Sequence, residues 1–209
     1  MIVNTNRESM SAVPPIQKLS TSFISKPHTI LTLVSILVIF GTALVISGGI
    51  WDAISHILKE PDFFWTIQHV SVYIGVVMTA SAAVLGSILV IKKHATGSLK
   101  KGIKTIIVGS TIQIVAGFGD SISHDVFGID GLVSLAHQPL EFGLVLSALG
   151  GFLIIKSIKN QNLKKILPLS IITLIFTISW LGYSLSLLAG ATILCLPIYE
   201  IFSSGCAIL

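Results

Sequence analysis

Two short stretches, Asp-Ala-Ile-Ser-His (52–56) and Asp-Ser-Ile-Ser-His (120–124), each place an aspartate four residues before a histidine. Twelve residues separate each of these histidines from another, His69 and His137 respectively. Two imidazoles and one carboxylate form a set that suits Cu(II), Zn(II) or Fe(II) and leaves coordination positions open. Residues i and i+4 share a helix face, so Asp52 with His56, and Asp120 with His124, can each point to one spot. The twelve-residue gap allows a turn back into the next helix, at whose top His69 or His137 can close on that spot. The candidate metal ligands are therefore Asp52, His56 and His69 in one set and Asp120, His124 and His137 in the other. Asp62 and Asp130 are candidates for a fourth ligand or for orienting a histidine. Tyr73 and Glu141, each four residues beyond the last histidine of its set, are placed to hydrogen-bond it. Helix-capping aspartates in solvated loops are the plainer alternative, but a cap does not demand histidines at matched spacing.

The two sets belong to a longer repeat. A shift of 68 residues superposes Asp52 on Asp120, Ser55 on Ser123, His56 on His124, Asp62 on Asp130 and His69 on His137, without gaps. Gly75 then falls on Gly143 and Ala80 on Ala148. Each copy reads as helix, polar turn, helix, and both enter the membrane in the same direction, a parallel duplication of a kind common in membrane proteins. If the copies pack about a two-fold axis along the membrane normal, the six ligands can pool into one centre.

The elements that carry these residues are apolar. Of the 209 residues, 53% are hydrophobic and 11% charged, and the mean hydropathy is +0.93; soluble domains average roughly 25% charged residues. Several apolar runs reach the ~20 residues that cross a bilayer as a helix. Long unbroken runs exclude a barrel of alternating strands and leave helices, because lipid offers the backbone no hydrogen-bond partner. The expected fold is an all-α, polytopic membrane helical bundle of five or six transmembrane helices. Its parts are a flexible tail (1–27), repeat 1 (28–104), repeat 2 (105–165) and a C-terminal helix with an interfacial segment (166–209). Within these, residues 51–64 read as an outer loop or helical extension, 92–104 and 156–165 as basic turns, 131–155 as the fourth span, and 166 to about 188 as the fifth.

Twelve of the thirteen basic residues fall in the tail and the two basic turns, a bias that marks a cytoplasmic face. The expected placement is thus a multi-pass protein of the cell membrane, with the N-terminus cytoplasmic and the metal motifs at the outer face. The net charge of +4 is used up as a topology signal, which argues against nucleic acid as a partner. Trp51, Trp65 and Trp180 fit interfacial belts. His28 and His94 have no copy in the other repeat and read as solvated, and Cys195 and Cys206 as small packing residues.

The Asp-x3-His-x12-His spacing resembles the copper site of the C subunit of the copper-dependent membrane monooxygenases, which oxidise ammonia or methane. The resemblance covers about residues 45–150. It implies a helical membrane subunit, copper at the outer face through Asp52, His56 and His69, a second set at Asp120, His124 and His137, and partner subunits in a larger complex. Asp120 stands where that family usually has Asn, and the family's aromatic-rich surroundings are mostly missing. The expected function is a membrane metal-binding protein, copper first and zinc or iron as alternatives, working as a subunit or paralogue of a monooxygenase-type complex. Its partners would be the bilayer and other membrane subunits or further copies of itself. The rival readings are a metal carrier or sensor with the same ligands, a metal-dependent lipid hydrolase using Asp62, Asp130, Ser55 or Ser123, a haem protein with paired histidines across helices, and a structural subunit in which one or both sets hold no metal. No residue is assigned a catalytic role.

Overall fold

The structure, a computed structural model, describes residues 26–58, 60, 65–127, 135 and 137–192, except for the side chains of His56, of residues 123–127 and of residues 191–192. The described chain forms α1 (Pro27–Ile57), α2 (Ile67–Ile91), α3 (Gly97–Phe127), α4 (Gln138–Ser157), the single-turn α5 (Gln161–Lys164) and α6 (Leu167–Thr192). No strand occurs among the described residues. Proline starts three of these helices: Pro27 is the first residue of α1, and Pro139 and Pro168 are the second residues of α4 and α6. There its missing N–H costs nothing and its fixed φ suits the helix.

Five helical segments are long and apolar enough to cross a membrane: 27–55, 67–91, 97–122, 138–157 and 161–190. The chain is an all-α bundle with the makings of a multi-pass membrane protein. At ~1.5 Å per residue the 31-residue α1 and α3 are about 45 Å long, against a hydrocarbon core of ~30 Å. Their last turns, which carry Asp52 and Asp120, therefore have length to spare beyond the lipid tails.

Several boundaries differ from the sequence reading. Residues 51–57 are a helical extension of α1. The lysine-rich stretch 92–104 is turn only as far as Thr96, since α3 begins at Gly97; lysine is a good helix former, and its long stem tolerates a helix end at the interface. α4 begins at Gln138, not at residue 131, and α6 runs on to Thr192. Of the expected interfacial segment or sixth helix (189–209), residues 189–192 belong to α6, and the rest, with Cys195, Cys206 and Glu200, lies outside the described residues, as do residues 1–25 of the tail.

The helices pair as two antiparallel hairpins, α1 with α2 and α3 with α4, and α6 packs against α4 and α1. Each hairpin closes on a reciprocal glycine contact. A Cβ built on Gly75 would lie 2.6 Å from the Gly41 carbonyl oxygen, and one on Gly41 would lie 2.9 Å from that of Gly75. In the second hairpin Gly109 and Gly143 face each other at 2.6 and 2.7 Å in the same sense. These pairs are 68 residues apart, so the sequence repeat is also a repeat of the closest backbone approach. Small residues at such crossings let helices associate through van der Waals contact, where lipid removes the hydrophobic drive between them.

The interior is divided along its length. Near the lysine-rich turns it is apolar: Ile30, Val34, Ile103, Ile106, Ile154 and Ile155 are all at most 1% exposed and belong to one cluster with Leu89, Ala95 and Ile158. Toward the opposite end a small cluster of Val45, Ile46 and Leu144 gives way to buried Gln113, Gln138, Glu141, Ser147 and Ser184. α6 contributes a hydroxyl stripe, burying Ser170, Thr173, Thr177 and Ser184 while Ile172, Ile175, Phe176 and Ile178 face outward. That is the reverse of a soluble helix and suits a lipid-facing exterior with polar contacts inside.

Candidate metal centre

The ends of the two hairpins bring the sequence-matched residues together in pairs. His69, in the first turn of α2, places Nε2 3.1 Å from Oδ1 of Asp52, in the last turns of α1. His137, capping α4, places Nδ1 3.3 Å from Oδ2 of Asp120 in α3. All four side chains are partly buried, 14–25% exposed. One feature differs between the copies: the first imidazole turns Nε2 to its carboxylate and the second turns Nδ1.

The third member of each set falls outside this geometry. His56 and His124 lie on α1 and α3 one turn beyond the aspartates, but their side chains are not among those described. Among the described residues no group of three or more His, Cys, Asp or Glu forms a metal cage. Asp62 and Asp130 also lie outside the described residues. Tyr73 lies beside His69, with ring centroids 6.2 Å apart and planes tilted by 31°, and meets Trp65 edge-on at 6.4 Å.

Glu141 is only 3% exposed. Its charge acts on His137, one turn earlier on α4, while the Ser184 hydroxyl and Trp180 indole of α6 face its carboxyl. Ser184 also accepts a 2.8 Å hydrogen bond from the Gln138 side-chain amide. Trp180 is half-buried and packs against Val45, Ile46 and Leu144. Trp51 and Trp65 are 46% and 70% exposed, and His28 and His94 are exposed. Below this level, Gln113 of α3 donates a 2.9 Å hydrogen bond to Ser147 of α4. The equivalent positions of the first hairpin are Val45 and Thr79.

Electrostatics tie the two pairs to each other. Burial pushes the His137 imidazole down, but its hydrogen bond to Asp120 and the charges of Asp120, Glu141 and Asp52 outweigh that, leaving its pKa above the ordinary 6.5. Asp52 belongs to the other repeat, so its charge reaching His137 puts the two hairpin ends side by side.

The separations suit ligation. Two ligand atoms at ~2.0–2.1 Å from one ion, subtending roughly 90–110°, stand about 2.8–3.4 Å apart. Both Asp–His contacts fall in this range, which is also that of a hydrogen bond or ion pair. Gln113, Gln138, Trp180 and Ser184 were not picked out as site residues by sequence reasoning. An amide inside an apolar span is the signal that could have flagged the two glutamines; α6 has no copy elsewhere in the chain to mark its two. The chain matches no known protein-family profile, no curated protein and no solved structure.

Proposed function

We propose that this is a membrane metal-binding protein whose ligands are Asp52, His56 and His69 in one set and Asp120, His124 and His137 in the other, with copper the first candidate and zinc or iron next. The observation that carries the reading is the recurrence, 68 residues apart, of one aspartate–imidazole contact at ligand-like separation. A contact formed by chance packing has no reason to recur at matched positions in both hairpins. When bound, the metal would supply Lewis acidity or redox chemistry at its open coordination position. The chain's own contribution is to aim the carboxylates from the ends of α1 and α3 and the imidazoles from the starts of α2 and α4, with Tyr73 and Glu141 beside the histidines. In this reading the protein works as a subunit or paralogue of a membrane monooxygenase-type complex. The lysine-rich end is cytoplasmic and the Asp–His end faces outward, as the charge bias favours.

The test is elemental analysis of protein purified without added metal, beside His56→Ala and His124→Ala. Each variant should lose about half of the bound metal if the sets act separately, or nearly all of it if they share one centre, since removing a ligand leaves too few donors for a stable site. Metal content unchanged in both variants would refute the assignment.

A second reading has its own support. The raised pKa of His137 favours an imidazolium–carboxylate latch that closes the hairpin without metal. Metal-free protein that keeps its full thermal stability, with no metal uptake at neutral pH, would favour the latch.

A further inference from the structure

The lysines of the two basic turns share one face. Ala95 and Leu99 from the first turn region, and Ile158, Leu163 and Ile166 from the second, join the same apolar cluster, which fixes both turns at one end of the bundle. Nine lysines lie in 92–104 and 156–165, and all but half-buried Lys164 are exposed. No Asp or Glu occurs between Asp62 and Asp120, or between Glu141 and Glu200, so no carboxylate of either turn offsets them.

Position separates these lysines into two kinds. Lys92, Lys93 and Lys156 sit where α2 and α4 end, and the negative end of a helix dipole accommodates cations; Lys156 also lies 5.8 Å from the Phe152 ring centroid. Lys100 and Lys101 sit in the opening turns of α3, and Lys164 and Lys165, which end and cap the single-turn α5, lie just before α6 with Ile166 between. These helix starts carry no acidic residue in the first turn. Cations there face the positive end of the dipole, which is unfavourable. Topology bias asks for lysines on this side but not at helix starts.

We infer that Lys100, Lys101, Lys164 and Lys165 form a recognition surface for the phosphate headgroups of anionic lipids. The helix ends place these ammonium groups at the level where a leaflet carries its phosphates, and the long stems let them reach out from apolar surroundings. This inference is independent of the metal reading.

The test titrates the full-length protein in uncharged detergent with phosphatidylglycerol, phosphatidylcholine or inorganic phosphate, following thermal unfolding. Phosphatidylglycerol should stabilise the wild type, phosphatidylcholine should do so less, and inorganic phosphate should have no effect. A lysine near an anionic surface contributes about fivefold in binding, so K100Q/K101Q should need about twenty-five-fold more phosphatidylglycerol for the same shift. Without lipid that variant should be at least as stable as the wild type, because two cations have been removed from the positive end of α3. Equal stabilisation by the two lipids, or an unchanged phosphatidylglycerol response in both K100Q/K101Q and K164Q/K165Q, would overturn the inference. Displacement of the lipid effect by equimolar inorganic phosphate would overturn it too, assigning the surface to free anions.

Discussion

At the scale of single residues, the two Asp–His contacts are alike in distance and unlike in surroundings. His69 lies beside an aromatic ring, whereas His137 has three carboxylates acting on it, Asp120, Glu141 and Asp52. That difference sets a pH dependence. The folded pKa of His137 lies above 6.5, so without metal the pair's contribution to stability is fully present below about 6.5 and fades as pH rises through the raised value. Asp120→Asn should remove this contribution. Thermal unfolding of metal-free protein should show a wild-type advantage over D120N at pH 6 that narrows towards pH 9, and a gap that widens with pH would contradict the raised pKa. If the proposed metal binds there it must displace the same proton, so loading of the second set should weaken with falling pH at a higher pH than an ordinary histidine would dictate. Spacing alone made the aspartates and the α2 and α4 histidines legible as neighbours. It could not show that Glu141 is shared between His137 and α6, because that depends on a helix with no counterpart in the repeat.

At the scale of elements, the glycine contacts dictate how closely each hairpin can close. Gly75→Ala would set a methyl 2.6 Å from both the Gly41 oxygen and a Val45 methyl, and Gly143→Ala would meet the Gly109 oxygen at 2.7 Å. Backbone oxygen cannot give way as a side-chain tip can, so each change should cost about 1–3 kcal/mol. Gly49→Ala, with nothing within 4 Å, should be neutral or stabilising by up to about 1 kcal/mol through helix propensity. Unfolding titrations of the three variants would check the order; equal losses would mean that the helices shift apart freely. Helix number and type were plain from the apolar runs. The start of α3 was not, because a lysine-rich stretch reads as a turn when the bilayer is taken to end where apolar residues end. Gly75 and Gly143 stood out as a matched pair in sequence, but their partners Gly41 and Gly109 did not, because a small residue marks an interface only once the facing helix is known.

At the scale of the whole molecule, charge is polarised along the bundle. Among the described side chains, the lysines gather at one end, while Asp52, Glu60 and Asp120 lie at the other. The proposed orientation can be read directly. In a background with Cys195→Ser and Cys206→Ser, Glu60→Cys should react with an impermeant maleimide on intact cells, and Lys100→Cys only after permeabilisation. Both residues are exposed, so the reverse pattern would mean that the protein is inserted the other way up. The interior follows the same polarity, apolar near the lysines and rich in amides, hydroxyls and carboxyl groups near the histidines. Composition showed that the chain is membrane-bound. The polar half of the core was not evident, since isolated Gln, Ser and Thr residues in apolar runs give no periodic signal.

Each hairpin carries its own glycine crossing and its own aspartate–imidazole closure. The chain is in this respect a tethered dimer of a two-helix unit, joined at Lys92–Thr96 and sharing one apolar cluster across all four helices. Once both copies sat in one chain, either could change alone. The copies differ at the Gln113–Ser147 bond, where the first hairpin has Val45 and Thr79, and at the docking of α6 on Gln138.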